Sequence, residues 1–269
     1  MEFKEKQYDG TYEISEVEIQ NEGQIIRGIL YFPPESFTRP YPLIIYFHDF
    51  PQLFTLKEIV IEHHYLLELG FAFLVFNRRG YNYSEGSVSI ESQVSDSLKV
   101  IKFVQIMSKN DNFDIYDTNI LAKGFGSYIA LNLCSQIQFI NKLLLLSPIL
   151  DLEKRVNNEN FLRSLNYINR FLPGHIKGIE NVNLFIEMTK AELEQKKYNI
   201  YDFINSIKYN QLKIILGDLD KVTPLSEVKQ ILKNHLKNLE LVIIANMDHD
   251  CIEDNDFTRI NKEIKKFFQ

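Results

Sequence analysis

Hydrophobic residues in this chain fall into short runs that are separated by polar turns and by amphipathic stretches. Residues 12–19 alternate polar and apolar side chains, a turn follows at 21–24, and residues 25–32 return, which predicts two antiparallel strands. Continuous apolar runs at 42–48 and 71–77 predict strands that are buried on both faces. Three later runs are also strand-like: 142–148, 212–217 and 239–244.

Helical periodicity lies between these runs. Residues 56–69, 91–107 and about 256–268 are predicted helices. Alternation of buried strands with helices indicates an α/β protein with a doubly wound, mostly parallel sheet. In such sheets ligands bind beyond the carboxyl ends of the strands. The loops with reactive or unusual residues each follow a predicted strand, which places a site at that edge.

Residues 151–209 interrupt this alternation. The segment is rich in Asn, Lys and Glu, and it predicts helices at 160–172, 181–197 and 200–207 without strands between them. We therefore divide the chain into an α/β core, residues 1–150 and 210–269, and a helical cap, residues 151–209. The cap is interpreted as a lid that shapes a pocket; the alternative is additional packing on the end of the sheet.

Composition restricts the function classes. Of 269 residues, 45% are hydrophobic and 25% are charged, and the net charge is −6 without basic clusters, which argues against a nucleic-acid surface. The first residues lack the apolar core of a signal peptide, and no run approaches the length of a membrane span. Cys134 and Cys251 form no disulfide framework or metal motif. We expect a cytoplasmic protein without disulfides, metal or cofactor.

The segment 121–131, LAKGFGSYIAL, has the form of a strand, a turn of small residues and a helix. It resembles the nucleophile elbow, G-x-S-x-G, of the α/β-hydrolase superfamily. Alignment on Ala130 places the tip at Gly124, with Ala122 and Gly126 as the small flanking residues. The elbow is then present without its nucleophile, unless Gly124 itself replaces a parent serine. Glycine also relieves the backbone strain of the tip, about 1–3 kcal/mol for other residues.

A second register makes Ser127 the alternative nucleophile. Phe125 and Ile129 then take the two flanking positions, where small residues allow the strand and the helix to approach each other. This register is the weaker one for that reason.

Two later loops resemble those that carry the acid and the base of the same superfamily. Asp220 lies in GDLDKVTP, residues 217–224, which matches the pattern G-x-x-D-x-x-x-P; the alternative is a helix cap near Pro224. His249 follows the last predicted strand. The order elbow, acid, histidine is that of α/β-hydrolases, and the resemblance implies a catalytic Asp220 and His249. The nearby Cys251 is interpreted as an ordinary loop residue. Of the other histidines, His63, His64 and His235 fall in predicted helices and His175 falls in the cap.

The oxyanion loop of the superfamily resembles His48-Asp49-Phe50, with Asp49 in place of the usual glycine. A carboxylate there opposes a forming oxyanion unless the side chain turns away into solvent. Phe125, directly after the tip, belongs to the same oxyanion and pocket region. The segment 79–86, RGYNYSEG, is similar to a structural R-G-x-G-x-S loop of the family, with Asn82 replacing the second glycine.

These motifs together look most like small serine esterases, acylglycerol lipases and serine aminopeptidases. The resemblance implies a hydrolase-like protein that acts on an ester, thioester or amide of a small acyl substrate, through a His–Asp dyad with a degenerate elbow. The alternative is a catalytically inactive homologue that binds a small ligand or a protein partner.

Overall fold

The computed structural model describes residues 7–235, 239–251 and 254–269, apart from the side chain of residue 254. Its centre is a nine-stranded sheet in the order β1-β2-β3-β5-β4-β6-β7-β8-β9. The strands are β1 (Gln7–Asp9), β2 (Tyr12–Asn21), β3 (Gln24–Tyr31), β4 (Tyr41–Phe47), β5 (Ala72–Asn77), β6 (Phe113–Lys123), β7 (Ile140–Leu146), β8 (Gln211–Gly217) and β9 (Leu239–Ile244). Strands β1 to β3 pair antiparallel, β3 joins β5 antiparallel, and all later pairs are parallel. The predicted fold class is confirmed; the short strand β1 was not predicted.

Helices cover both faces of the sheet. They are α1 (Leu56–His63), α2 (Tyr65–Glu68), α3 (Ile90–Lys109), α4 (Phe125–Gln136), α5 (Leu152–Val156), α6 (Glu159–Phe171), α7 (Val182–Leu193), α8 (Ile200–Phe203), α9 (Leu225–Ile231) and α10 (Asp254–Phe268). One hydrophobic cluster lies on each face, in agreement with strands that are buried on both sides. No helix in the described residues is long and apolar enough to span a membrane.

Two sequence predictions differ from the structure. The predicted helix at 56–69 is divided at His64 into α1 and α2. Its first part begins at a capping box in which Thr55 and Glu58 each bond the other's backbone N–H. His235 lies in a turn after α9 and not in a helix, and its Nδ1 bonds the Tyr209 hydroxyl at 3.0 Å. Both differences reflect tertiary packing that outweighs helical periodicity.

The segment between β7 and β8 holds α5, α6, α7, α8 and a 3-10 turn (Ile204–Ser206). It packs on the core through specific contacts. The Asn132 amide donates to the Lys197 carbonyl at 2.6 Å, and the Glu192 carboxylate accepts the N–H groups of Ile90 and Glu91 at 2.9 and 3.0 Å. These contacts place the helices beside the carboxyl edge of the sheet.

Candidate active site

The register of the central strands brings the candidate residues together. Phe47 of β4 pairs with Ala122 of β6, so Asp49 and Gly124, each two residues farther on, emerge side by side. Gly217 of β8 pairs with Ile244 of β9, and the loops after these strands carry Asp220 and His249. Every candidate therefore lies beyond the carboxyl ends of parallel strands, where such sheets bind ligands.

The turn between β6 and α4 has the geometry that a sharp elbow requires. Gly124 has φ +50° and ψ −120°, a region that residues with a Cβ rarely adopt. A Cβ on Gly126 would lie 2.2 Å from the Phe47 carbonyl oxygen, so the close approach of α4 to β4 also requires glycine there. The sequence LAKGFG is thus explained by backbone geometry around Gly124.

Ser127 lies inside α4 and is fully buried. Its hydroxyl is 3.3 Å from the Ala122 carbonyl oxygen, to which it donates. The described residues give this hydroxyl no bond to His249. Ser127 is therefore placed as a packing residue of the elbow.

Asp220 and His249 form a buried pair. His249 Nδ1 lies 2.9 Å from Asp220 Oδ2. The other oxygen, Oδ1, accepts the N–H groups of Val222 and Thr223 at 2.9 and 2.8 Å. These bonds fix the carboxylate, which in turn orients the imidazole and leaves Nε2 outside the pair.

The electrostatic surroundings of His249 favour its protonated form. Burial alone lowers the pKa of His249, but the hydrogen bond to Asp220 and the negative charges of Asp49 and Asp220 outweigh burial, so its pKa lies above the usual value. Arg155 opposes this shift. The pair therefore holds a proton more readily than a free imidazole does.

Asp49 does not turn its side chain away into solvent, the exception that the sequence analysis allowed; the side chain turns inward over Gly124. Asp49 Oδ1 accepts the backbone N–H groups of Phe50 and Phe125, both at 2.7 Å. We refer to these two N–H groups as the oxyanion site. A Cβ on Gly124 would lie 1.9 Å from Oδ1, 2.1 Å from Cγ and 2.3 Å from Oδ2 of Asp49. The carboxylate thus occupies both the oxyanion site and the space of an elbow side chain.

The oxyanion loop rests on a buried arginine that the sequence analysis did not single out. Arg78 is fully buried and donates from Nη2 to the His48 carbonyl oxygen at 2.7 Å. His48 Nδ1 is 2.8 Å from the Asp49 carbonyl oxygen, which can only accept, so this nitrogen carries the proton. Burial, and then the charge of Arg78, hold the pKa of His48 far below its usual value. His48 is a neutral support of the loop.

An apolar cavity of about 40 Å³ lies beside the oxyanion site. We name it the aromatic cavity, after the four rings in its lining: Phe50, Phe125, Phe161 and Phe185. Its main polar lining residue is Arg155 on α5, whose guanidinium lies 4.8 Å from the ring centre of Phe161. The sequence analysis did not identify Arg155, because only the packing of the α5–α6 segment onto the core brings this residue to the cavity.

Other polar residues do not form a second centre among the described residues. No group of three or more His, Cys, Asp or Glu side chains in these ranges has a geometry that suits a metal ion. His175 on the α6–α7 loop bonds the Gln52 carbonyl oxygen at 3.1 Å through Nε2. Cys251 is buried beside Ser147, and burial raises the pKa of its thiol.

The charge of Asp49 should be visible in the titration of His249. We expect Asp49→Asn to lower the pKa of His249, because it removes one of the two carboxylates that raise it. Stability from a raised histidine pKa is fully present below the unfolded value of about 6.5 and is lost as pH rises through the folded value. The difference in unfolding free energy between wild type and Asp49→Asn should therefore be larger at acidic than at alkaline pH. An NMR titration of the His249 ring proton measures the shift directly.

Asp218→Asn is the matched control. It neutralises a carboxylate on the neighbouring loop, where Asp218 Oδ1 accepts the Asn246 N–H at 2.7 Å, but that charge is not among those that raise the His249 pKa. Equal His249 titration in wild type and Asp49→Asn would contradict this account of the site.

Solved structures with a similar architecture include esterases, α/β-hydrolases and peptidases. The esterase Est1E from Butyrivibrio proteoclasticus superposes with a TM-score of 0.70 at 18% identity and covers 94% of this chain and 96% of its own. The Pyrococcus furiosus esterase Pf2001 gives 0.66 at 17% identity, over 96% of this chain and 92% of its own. The α/β-hydrolase GrgF from Penicillium gives 0.66 at 18% identity, over 95% and 97%. No protein-family model matches the sequence, and no curated protein sequence matches it.

This chain therefore has the α/β-hydrolase fold. The likeness extends over nearly the whole chain. At these identities it establishes the fold, and the chemistry has to be argued from the site itself.

Proposed function

We propose that this protein is a hydrolase of a small, mostly apolar substrate and that His249 and Asp220 are its proton-transfer pair. The observation that carries the proposal is the 2.9 Å bond between His249 Nδ1 and Asp220 Oδ2, at the edge of the sheet that also holds the oxyanion site. The helical cap, residues 151–209, is proposed as the lid of the aromatic cavity, because Phe161, Phe185 and Arg155 contribute to its lining.

For an ester, thioester or amide, the route is direct attack of water. His249 Nε2 takes a proton from a water molecule, and Asp220 stabilises the imidazolium that forms. The substrate carbonyl oxygen must then displace Asp49 Oδ1 from the oxyanion site. Without a covalent nucleophile, general-base catalysis supplies only about 10²–10⁴ in rate. The raised pKa of His249 makes this rate increase with pH, because only the neutral imidazole is a base.

The test is hydrolysis of p-nitrophenyl acetate by wild type, His249→Ala and Ser127→Ala between pH 6 and 9. We expect slow turnover that rises with pH in wild type, an equal rate in Ser127→Ala, and background in His249→Ala. Loss of activity in Ser127→Ala, with a circular dichroism spectrum that matches wild type, would identify Ser127 as the nucleophile.

A second candidate is a catalytically inactive protein that binds a small ligand in the aromatic cavity. It is supported by the Asp49 carboxylate in the oxyanion site and by a cavity of only about 40 Å³, whereas enzyme pockets for drug-sized ligands are on the order of 300–1,000 Å³. Equal rates in wild type and His249→Ala, together with calorimetric binding of propyl acetate to wild type, would favour this candidate over hydrolysis.

A further inference from the structure

Arg155 carries a half-buried charge that the described residues leave without a hydrogen bond or an ion pair. Its Nε is buried and has no acceptor, and its guanidinium lies 4.8 Å from the ring centre of Phe161. Burial lowers its pKa, and the charges of Asp49, Asp250 and Asp220 oppose that shift. A charge that is withdrawn from water is unfavourable unless polar groups pair with it. The unused donors of Arg155 therefore indicate a place where an anion binds.

A second pocket, of about 170 Å³, adjoins the aromatic cavity at Arg155. We name it the polar pocket. Arg155 and Ile149 line both spaces. The polar pocket also reaches the loop of the proton-transfer pair, because its lining includes Val222, whose N–H bonds Asp220 at 2.9 Å. Arg155 thus lies between an apolar space beside the oxyanion site and a polar space beside the acid loop.

The charges that line the polar pocket leave one positive charge in excess. The lining contains three cations, Lys154, Arg155 and Lys221, and two carboxylates, Asp151 and Glu227. Both carboxylates already have partners, because Glu227 pairs with Lys154 Nζ and Asp151 Oδ1 accepts the Lys154 N–H at 2.9 Å. Within the described residues, Arg155 and Lys221 are the cations of this lining that have no hydrogen bond. The pocket therefore suits a group with a single negative charge.

We propose that Arg155 binds a carboxylate of the substrate, and that the substrates are esters, thioesters or amides of short dicarboxylic acids with the second carboxylate free. The proposal rests on the proposed function and narrows its substrate class. Phe50 and Phe125 supply the N–H groups of the oxyanion site and also line the aromatic cavity, which Arg155 lines as well. A short chain in that cavity therefore has its reacting carbonyl at one end and its carboxylate at the guanidinium.

A carboxylate fits Arg155 better than a phosphate does. The planar guanidinium offers parallel N–H donors that match the two oxygens of a carboxylate. A phosphate monoester carries between one and two negative charges at pH 7, more than the single positive charge in excess in the polar pocket. The aromatic cavity of about 40 Å³ restricts the hydrocarbon between the two ends to a few carbons.

The test is calorimetric binding at pH 7 of monomethyl succinate, monomethyl glutarate and monomethyl adipate, each compared with its dimethyl ester. Wild type should bind at least one monoester on the order of 10- to 100-fold more tightly than the matching diester, the size expected for hydrogen bonds between charged groups. Arg155→Met keeps an apolar side chain and should lose this preference. Lys196→Met is the control and should retain it, because Lys196 is an exposed cation of the same cap that lines neither space.

A spectroscopic measurement on wild type makes the test independent of the folding of Arg155→Met. In protein labelled with ¹⁵N-arginine, the monoester should move the Nε–H signal of Arg155 downfield, because this N–H gains an acceptor, and the diester should not. Arg155→Lys assigns the signal by removing it. This variant should retain a smaller preference for the monoester, because lysine keeps the charge and lacks the planar fork.

Equal affinity of wild type for monoester and diester at all three lengths overturns the proposal, and so does absence of binding. A preference that persists in folded Arg155→Met, or an Arg155 Nε–H signal that no monoester moves, places the carboxylate elsewhere and also overturns it. None of these measurements depends on turnover. The proposed function fails separately, through equal hydrolysis of p-nitrophenyl acetate by wild type and His249→Ala, and binding of the monoesters would then identify Arg155 as the anion site of a binding protein.

Discussion

Gly124→Ser alone should hydrolyse p-nitrophenyl acetate no faster than wild type, whereas Asp49→Gly combined with Gly124→Ser should gain esterase activity. A serine Cβ would lie 1.9 Å from Asp49 Oδ1, which is a severe steric clash for two atoms that are not bonded. The φ of +50° adds about 1–3 kcal/mol of backbone strain. The single variant must therefore displace the carboxylate or unfold locally. Asp49→Gly removes the obstacle and frees the N–H groups of Phe50 and Phe125 for the substrate.

The expected increase in rate follows from the contribution that a nucleophile makes to kcat. Its removal from a serine protease costs about 10⁶ in kcat, so even partial recovery in the double variant should exceed the wild-type rate by on the order of 10³. Steady-state kinetics should compare wild type, Gly124→Ser, Asp49→Gly, the double variant, and the double variant with His249→Ala. The last should lose the gain. Equal activity of Gly124→Ser and the double variant would show that Asp49 does not block the elbow.

The largest loss of stability is expected from Asp96→Ala. Asp96 on α3 is fully buried; its Oδ1 accepts Arg79 Nε at 2.7 Å and Asn21 Nδ2 at 2.9 Å, and its Oδ2 accepts the Arg79 N–H at 2.7 Å. Removal of the carboxylate leaves the largely buried guanidinium of Arg79 with the exposed carboxylate of Glu22 and a 3.4 Å bond from Nη2 to the Ser92 carbonyl oxygen. Loss of one partner of a buried ion pair costs about 3–5 kcal/mol.

Urea unfolding followed by circular dichroism measures this loss. Glu187→Ala is the control, because Glu187 is an exposed residue of α7 and surface substitutions usually change stability by no more than about 0.5 kcal/mol. A change below about 1 kcal/mol for Asp96→Ala would mean that the N-terminal hairpin and α3 are held together mainly by apolar packing. The catalytic predictions do not depend on this outcome.

Much of the architecture was predictable because parallel strands that are buried on both faces are continuous apolar runs in the sequence. The apolar runs of β4, β5, β7 and β8 predicted a doubly wound sheet, and the paired antiparallel strands β2 and β3 followed from alternation around Asn21. The division of the 56–69 helix and the short strand β1 were not predictable from periodicity. Strand β1 is only three residues long, too short for its alternation to be recognised, and it pairs with β2 across a tight turn.

For the candidate site, the local sequence determined the backbone and the tertiary structure determined the chemistry. Glycine at positions 124 and 126 follows from a tip with positive φ and from the approach of α4 to β4, and both were visible in the pattern of small residues. The direction of the Asp49 side chain was not visible in the sequence. The carboxylate accepts the N–H of Phe125, 76 residues away, and it occupies space that is open because residue 124 has no side chain. A side chain's direction depends on the groups that it meets in space, and only the register of β4 against β6 brings those groups together.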